Sequence, residues 1–128
     1  MKREIKFRAF GAGLWRYGDL RTVGKQTQIV STKYDMTFNI DTKTIGQYIG
    51  IKDINGVEIF EGDIVKAMPH YGRRTKKNYT VVWFDEKLQF AFYRKDKDEE
   101  TLLSLSDIYN KEIEVVGNIY ENEKGDAQ

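Results

Sequence analysis

The apolar residues of this chain fall in runs of strand length, and turn residues close almost every run. Glu4 to Ala9 alternates, with Ile5, Phe7 and Ala9 on one face and Lys6 and Arg8 on the other, the period of a strand with one wet face. Leu14 to Leu20 reads as a second, aromatic strand, and the polar stretch Arg21 to Gln28 as a loop. Asp53-Ile54-Asn55-Gly56 is the clearest turn, because Asp suits its first position and Asn-Gly tolerates positive φ. Tyr79 to Phe84 is apolar on both faces, which places it centrally in a sheet. Asp85-Glu86-Lys87 then turns the chain into Leu88 to Tyr93, giving a hairpin. Glu112 to Tyr120 is a last strand broken by Gly117, and Ser106 or Asp107 caps one short helical turn before it. Composition agrees. Ile, Val, Thr and the aromatic residues supply 46 of 128 residues, and Ala with Leu only 11. Branched and aromatic side chains fit a pleated surface, whereas Ala and Leu favour helices.

A chain of this length buries roughly two thirds of its unfolded surface, enough for a core without disulfides or metal. No cysteine is present, which removes disulfides, thiolate metal sites and thiol catalysis and suits a reducing cytoplasm. The N-terminus is charged from Lys2 and holds no long apolar run, so neither a leader peptide nor a membrane span is expected. The formal net charge is +1, so charge as a whole selects no polyanionic partner. Its distribution is uneven. Lys66, Arg73, Arg74, Lys76 and Lys77 fall between Lys66 and Thr80 with no acid among them. Lys2, Arg3, Lys6 and Arg8 outweigh Glu4 at the start, and Glu121, Glu123 and Asp126 outweigh Lys124 at the end.

Chemistry-bearing motifs are few. Glu61-Gly62-Asp63-Ile64-Val65 reads as a structural turn into a strand, since Gly permits the bend and Asp accepts backbone N–H groups. Asp53, Asn55, Gly56, Gly62 and Asp63 are thus the expected turn residues. His70 is the one histidine in the chain and has no second histidine or cysteine to complete a zinc site or triad, so it is read as an exposed loop residue. Gly11-Ala12-Gly13 lacks the third glycine of a dinucleotide loop, and Ser31, Ser104 and Ser106 sit in no nucleophile-elbow context. Trp83, Phe84, Phe90 and Phe92 are expected in the core. The segment with Tyr71, Arg73, Arg74, Lys76, Lys77 and Tyr79 is the candidate nucleic-acid site, because cations neutralise phosphates and aromatic rings stack on bases.

Three blocks carry a family resemblance. Gln47 to Val65 (QYIGIKDINGVEIFEGDIV) is similar to the central string of the YopX family, found in phages and prophages. Arg3 to Ala9 (REIKFRA) resembles its opening, and Ile113 to Asn122 (IEVVGNIYEN) its close. The chain departs where the family usually has Trp and this sequence has Phe10, and where Pro is frequent and this sequence has Thr42. Gly11 to Phe38 aligns with nothing in the pattern. The resemblance implies an all-β or β-dominated protein with an SH3-like small barrel, and it supplies no catalytic residues. The expected organisation is one domain over residues 1–128, with N-terminal strands at about 1–45, the barrel portion at about 46–121 and a loose tail at 122–128. The expected function is a non-catalytic phage accessory or regulatory protein in the host cytoplasm, binding a host protein or nucleic acid. No cofactor, metal or membrane is expected. Two alternatives stand beside it. One is a divalent-metal hydrolase or nuclease using Glu58, Glu61, Asp63 and Asp85, and the other is a homo-oligomeric scaffold built on exposed strand edges.

Overall fold

The computed structural model describes residues 3–31, 33–72 and 74–124. The chain divides into two compact units, Met1–Gly50 and Ile51–Gln128. The sequence suggested a junction near residue 45, and the division falls at Gly50, inside a strand. Strands dominate, in two antiparallel sheets, and no helix among the described residues is long and apolar enough to cross a membrane.

The first unit contains β1 (Phe7–Gly11), β2 (Leu14–Val23), β3 (Gln26–Ser31), β4 (Met36–Asn39) and the start of β5 (Gly46–Lys52), ordered β4-β3-β2-β1-β5. Arg21 to Gln28 is no loop: Arg21 pairs with Gln28, Thr22 with Thr27 and Val23 with Gln26, closing a hairpin around Gly24 and Lys25. Its residues are mostly exposed, so the strand lacks the alternation that reveals a strand in sequence. Alternation places Arg8 on the wet face, yet it is buried, while Ile5 is 57% exposed. The Arg8 guanidinium stacks 4.9 Å above the Trp15 ring, so an aromatic face covers the flat cation while the aliphatic stem packs.

The end of β1 meets the end of β4. Asp41 N–H donates to the Phe10 carbonyl at 2.8 Å, and Phe10 N–H donates to Thr44 Oγ1 at 2.8 Å. A Cβ on Gly11 would collide with the Asn39 carbonyl oxygen, so only glycine permits this approach.

The second unit follows the far end of β5 with β6 (Glu58–Phe60), β7 (Asp63–Ala67), β8 (Lys77–Phe84), β9 (Gln89–Lys95), β10 (Glu100–Leu103), β11 (Glu114–Asn118) and α1 (Ile119–Lys124). Its main sheet is ordered β10-β9-β8-β7-β11, with β8 central as its two-sided apolarity requires, and it is open at β10 and β11. Ile59, Phe60, Val65, Tyr79, Val81, Phe92, Ile108 and Ile113 form its core. Of the four aromatics expected there, Phe92 is fully buried, whereas Trp83 is 44% exposed and packs edge-on against Phe90 near the hairpin end. Two 3-10 turns, Leu105–Asp107 and Asn110–Glu112, precede β11, and the first is capped at Ser104, two residues before Ser106 and three before Asp107. Ser104 N–H donates to Asp107 Oδ2 at 2.9 Å.

The end of the chain also differs from expectation. β11 bulges between Val115 and Gly117, then stops at Asn118 rather than Tyr120. Asn118 Oδ1 accepts from Tyr120 N–H at 3.0 Å and Glu121 N–H at 2.8 Å, which caps α1. The helix takes in residues 122–124, which the sequence left to the tail; residues 125–128 lie outside the described residues.

Candidate functional site

The connection between β7 and β8 is anchored at its base and exposed at its tip. Tyr109 N–H donates to the Met68 carbonyl at 2.9 Å, and His70 N–H to the Asp107 carbonyl at 2.8 Å. Pro69 bridges to Ile108 between these bonds. His70 is therefore no free loop residue: its ring is half-buried and packs edge-on to Tyr109 at 4.1 Å. Beyond this seam the chain runs out into solvent. Tyr71 is 71% exposed, and Arg74 and Lys76 are exposed too. Lys77 is half-buried as the first residue of β8. Arg73 lies outside the described residues.

Two members of the basic stretch are removed from the candidate surface. Tyr79 is 3% exposed and lies across from Val65 in the core, so its ring cannot stack on a base; the sequence misplaced it because strand and loop meet only two residues earlier. Burial pushes its phenol up. Lys66 is exposed on β7 but lies directly across from Glu114, which offsets its charge. What remains is an exposed aromatic ring with two described cations on a loop without acid. Such a surface attracts phosphates and offers one stacking face.

The carboxylate of the Asp53–Val57 turn reaches well beyond that turn. Asp53 is buried; its Oδ1 accepts from Asn55 N–H at 2.8 Å and Val57 N–H at 2.9 Å. Its Oδ2 accepts from Val115 N–H at 2.9 Å, across 62 positions of chain. Burial pushes the Asp53 carboxyl up, but the bonds from Val115, Val57 and Asn55 outweigh it and hold its pKa below the ordinary 3.8. Gly56 takes the positive φ of 81° that closes this turn.

Gly62 has a φ of +90°, and a Cβ there would lie 3.0 Å from the Tyr120 ring. Its N–H donates to the Val81 carbonyl at 2.9 Å and its carbonyl accepts from Ile119 N–H at 2.9 Å. Asp63 is 1% exposed, and its Oδ2 accepts from Phe60 N–H at 2.8 Å.

The carboxylates needed for metal-dependent hydrolysis are distributed rather than gathered. Asp63 is buried against the backbone, Glu58 and Glu61 are half-buried around β6, and Asp85 is exposed after β8. Among the described residues, no three His, Cys, Asp or Glu side chains come together as a metal site would require. The sequence also passed over one place where chemistry does collect. Aromatic and cationic side chains of β2, β4 and the turn between β3 and β4 line a common pocket. The only sequence signal was the density of aromatics in a stretch outside the recognised pattern.

The central and closing blocks thus meet in space: Asp53 holds Val115, Ile54 N–H donates to the Ile113 carbonyl at 2.9 Å, and Gly62 bonds Ile119. A family model described as YopX protein matches residues 6–124. The chain belongs to the YopX family. No curated protein matches it. In this YopX chain, the central and closing blocks of the resemblance hold the clamps from Asp53 to Val115 and from Gly62 to Ile119, and the exposed basic connection lies between those two blocks.

Proposed function

We propose that this YopX protein is a non-catalytic nucleic-acid-binding accessory protein of a phage or prophage, acting in the host cytoplasm. The observation that carries this reading is the acid-free connection with Tyr71, Arg74 and Lys76 exposed at its tip. Phosphate contacts of this kind give affinity with little sequence preference. We read the second unit as an SH3-like module, a finer assignment than the β-dominated class. Its support is the order β10-β9-β8-β7-β11, a four-strand meander with the fifth strand beside the first, and the 3-10 turns that precede β11.

Binding should weaken steeply as salt rises. Replacing both Arg74 and Lys76 with Ala should flatten the log–log salt slope by about 1.8 on duplex or about 1.4 on single strands. Absence of binding to any DNA or RNA at low salt would remove this reading. A host protein would then be the favoured partner.

A further inference from the structure

The first unit contains a pocket of ≈ 430 Å³, within the size range of small-ligand sites, lined by Trp15, Arg16 and Tyr17 of β2, Lys33 and Tyr34 of the following turn, and Phe38 of β4 among others. Its guanidinium is already positioned. Arg16 Nε donates to the Gly11 carbonyl at 2.9 Å and Nη2 to the Ala12 carbonyl at 3.0 Å. The same guanidinium lies 3.9 Å over the Phe38 ring, so its plane is set before any ligand arrives. Lys33 Nζ lies 5.2 Å from the Tyr34 ring centre. Tyr34 is 63% exposed and Tyr17 46% exposed, leaving aromatic surface in water. No Asp or Glu is among the described lining residues.

Rings and a held guanidinium plane select a flat ligand, because bases stack on aromatic side chains and on Arg planes alike. Two cations without a carboxylate select an anion. We propose that this pocket binds a nucleobase bearing a phosphate, the base packing against the aromatic rings and the phosphate meeting Arg16 and Lys33. The ligand is either a free mononucleotide or one nucleotide of a single strand. In the second form the site extends the nucleic-acid reading above, through residues that the basic connection does not contain. A proline-rich peptide also uses aromatic grooves, but it has no use for paired cations without a counter-charge.

Trp15 provides the readout, in a Trp83→Phe background that leaves it the sole tryptophan. Four titrants are compared by quenching and by calorimetry: a mononucleotide, a single-stranded oligonucleotide, an abasic strand of equal length and a polyproline peptide. The oligonucleotide should bind about 5- to 150-fold more tightly than the abasic strand, the range for stacking one base. Saturable quenching by the mononucleotide alone would identify the free nucleotide as the source. Lys33→Ala with Tyr34→Ala should abolish the mononucleotide signal and, once Tyr71→Ala has removed the other exposed stacking ring, the base-dependent ratio, while leaving the unfolding midpoint unchanged, because all three side chains are exposed. Arg74→Ala with Lys76→Ala should change the salt slope and leave the base-dependent ratio intact.

Mononucleotide binding without any salt-dependent strand binding would support the pocket and remove the basic-connection reading. Equal affinity for normal and abasic strands with no mononucleotide signal would overturn the proposal. So would a base-dependent ratio that survives in the Lys33/Tyr34/Tyr71 variant, quenching by polyproline alone, or silence with every titrant.

Discussion

The two ends of β7 carry opposite chemistry. At its start, Glu61-Gly62-Asp63 is bonded inward: Gly62 joins Val81 and Ile119, and the buried Asp63 carboxylate takes the Phe60 N–H. Beyond its end, once the seam at Met68–His70 is passed, Tyr71, Arg74 and Lys76 face water. Both segments are polar and rich in turn residues, so polarity alone does not separate them. Hydrogen-bond geometry does. A carboxylate whose oxygens are committed to backbone donors is structural, whereas exposed cations have lone-pair acceptors only in solvent or in a partner.

The largest effect that distinguishes the two kinds of segment should come from the clamp at Asp53. Asp53→Ala leaves the N–H groups of Asn55, Val57 and Val115 without their carboxylate partner, and it should destabilise the protein by about 3 kcal/mol in chemical denaturation. A loss below about 0.5 kcal/mol, typical of surface substitutions, would dissolve the contrast. Gly62→Val should come next, at about 2 kcal/mol, because Val must adopt a left-handed φ and displace the Tyr120 ring. Gly62→Ala meets the same left-handed φ and already sets its Cβ 3.0 Å from the Tyr120 ring, so the difference between the two variants measures the added methyl groups of Val alone.

Acid provides a third and smaller test. The folded pKa of Asp53 lies below its ordinary 3.8, so its contribution is fully present above that value and is lost as pH falls through the folded pKa. Asp53→Asn should therefore narrow its stability deficit relative to wild type below about pH 4. A deficit constant from pH 7 to pH 2 would contradict the account. The smallest effect on folding should come from Arg74→Ala with Lys76→Ala, within about 0.5 kcal/mol, even though this variant alters the salt dependence of binding.

Local chemistry was the legible part of the sequence. Asn-Gly is a local turn signal at Asp53–Val57, where Gly56 has positive φ, and the two-sided apolarity of Tyr79–Phe84 marks the centre of a sheet. Contacts between distant segments left no local trace. Nothing near Asp53 announces that its second oxygen holds Val115, and nothing near Asn118 announces that it ends a strand and caps a helix. The polar β2–β3 hairpin was invisible because exposure on both faces erases the period of two. Arg8 was misjudged because alternation assumes that charge faces water, and the Trp15 ring supplies another solution. At the basic connection the charge run was legible, but its boundary was not, and Tyr79 fell on the buried side. The aromatic pocket required the turn between β3 and β4 to bring Lys33 and Tyr34 beside β2, which composition cannot reveal.

The division between clamp and binding surface can be measured directly by titrating a single-stranded oligonucleotide into isotope-labelled protein and following the backbone amides by NMR. Salt-sensitive shifts should concentrate at Tyr71 to Lys76, together with shifts around Lys33 and Tyr34 if the pocket takes a base. The amides of Phe60, Gly62, Val57 and Val115, held by the internal bonds described above, should stay in place. Shifts centred on Gly62, Asp63 and Asp53, with the β7–β8 connection unmoved, would contradict that division and return the functional site to the clamp.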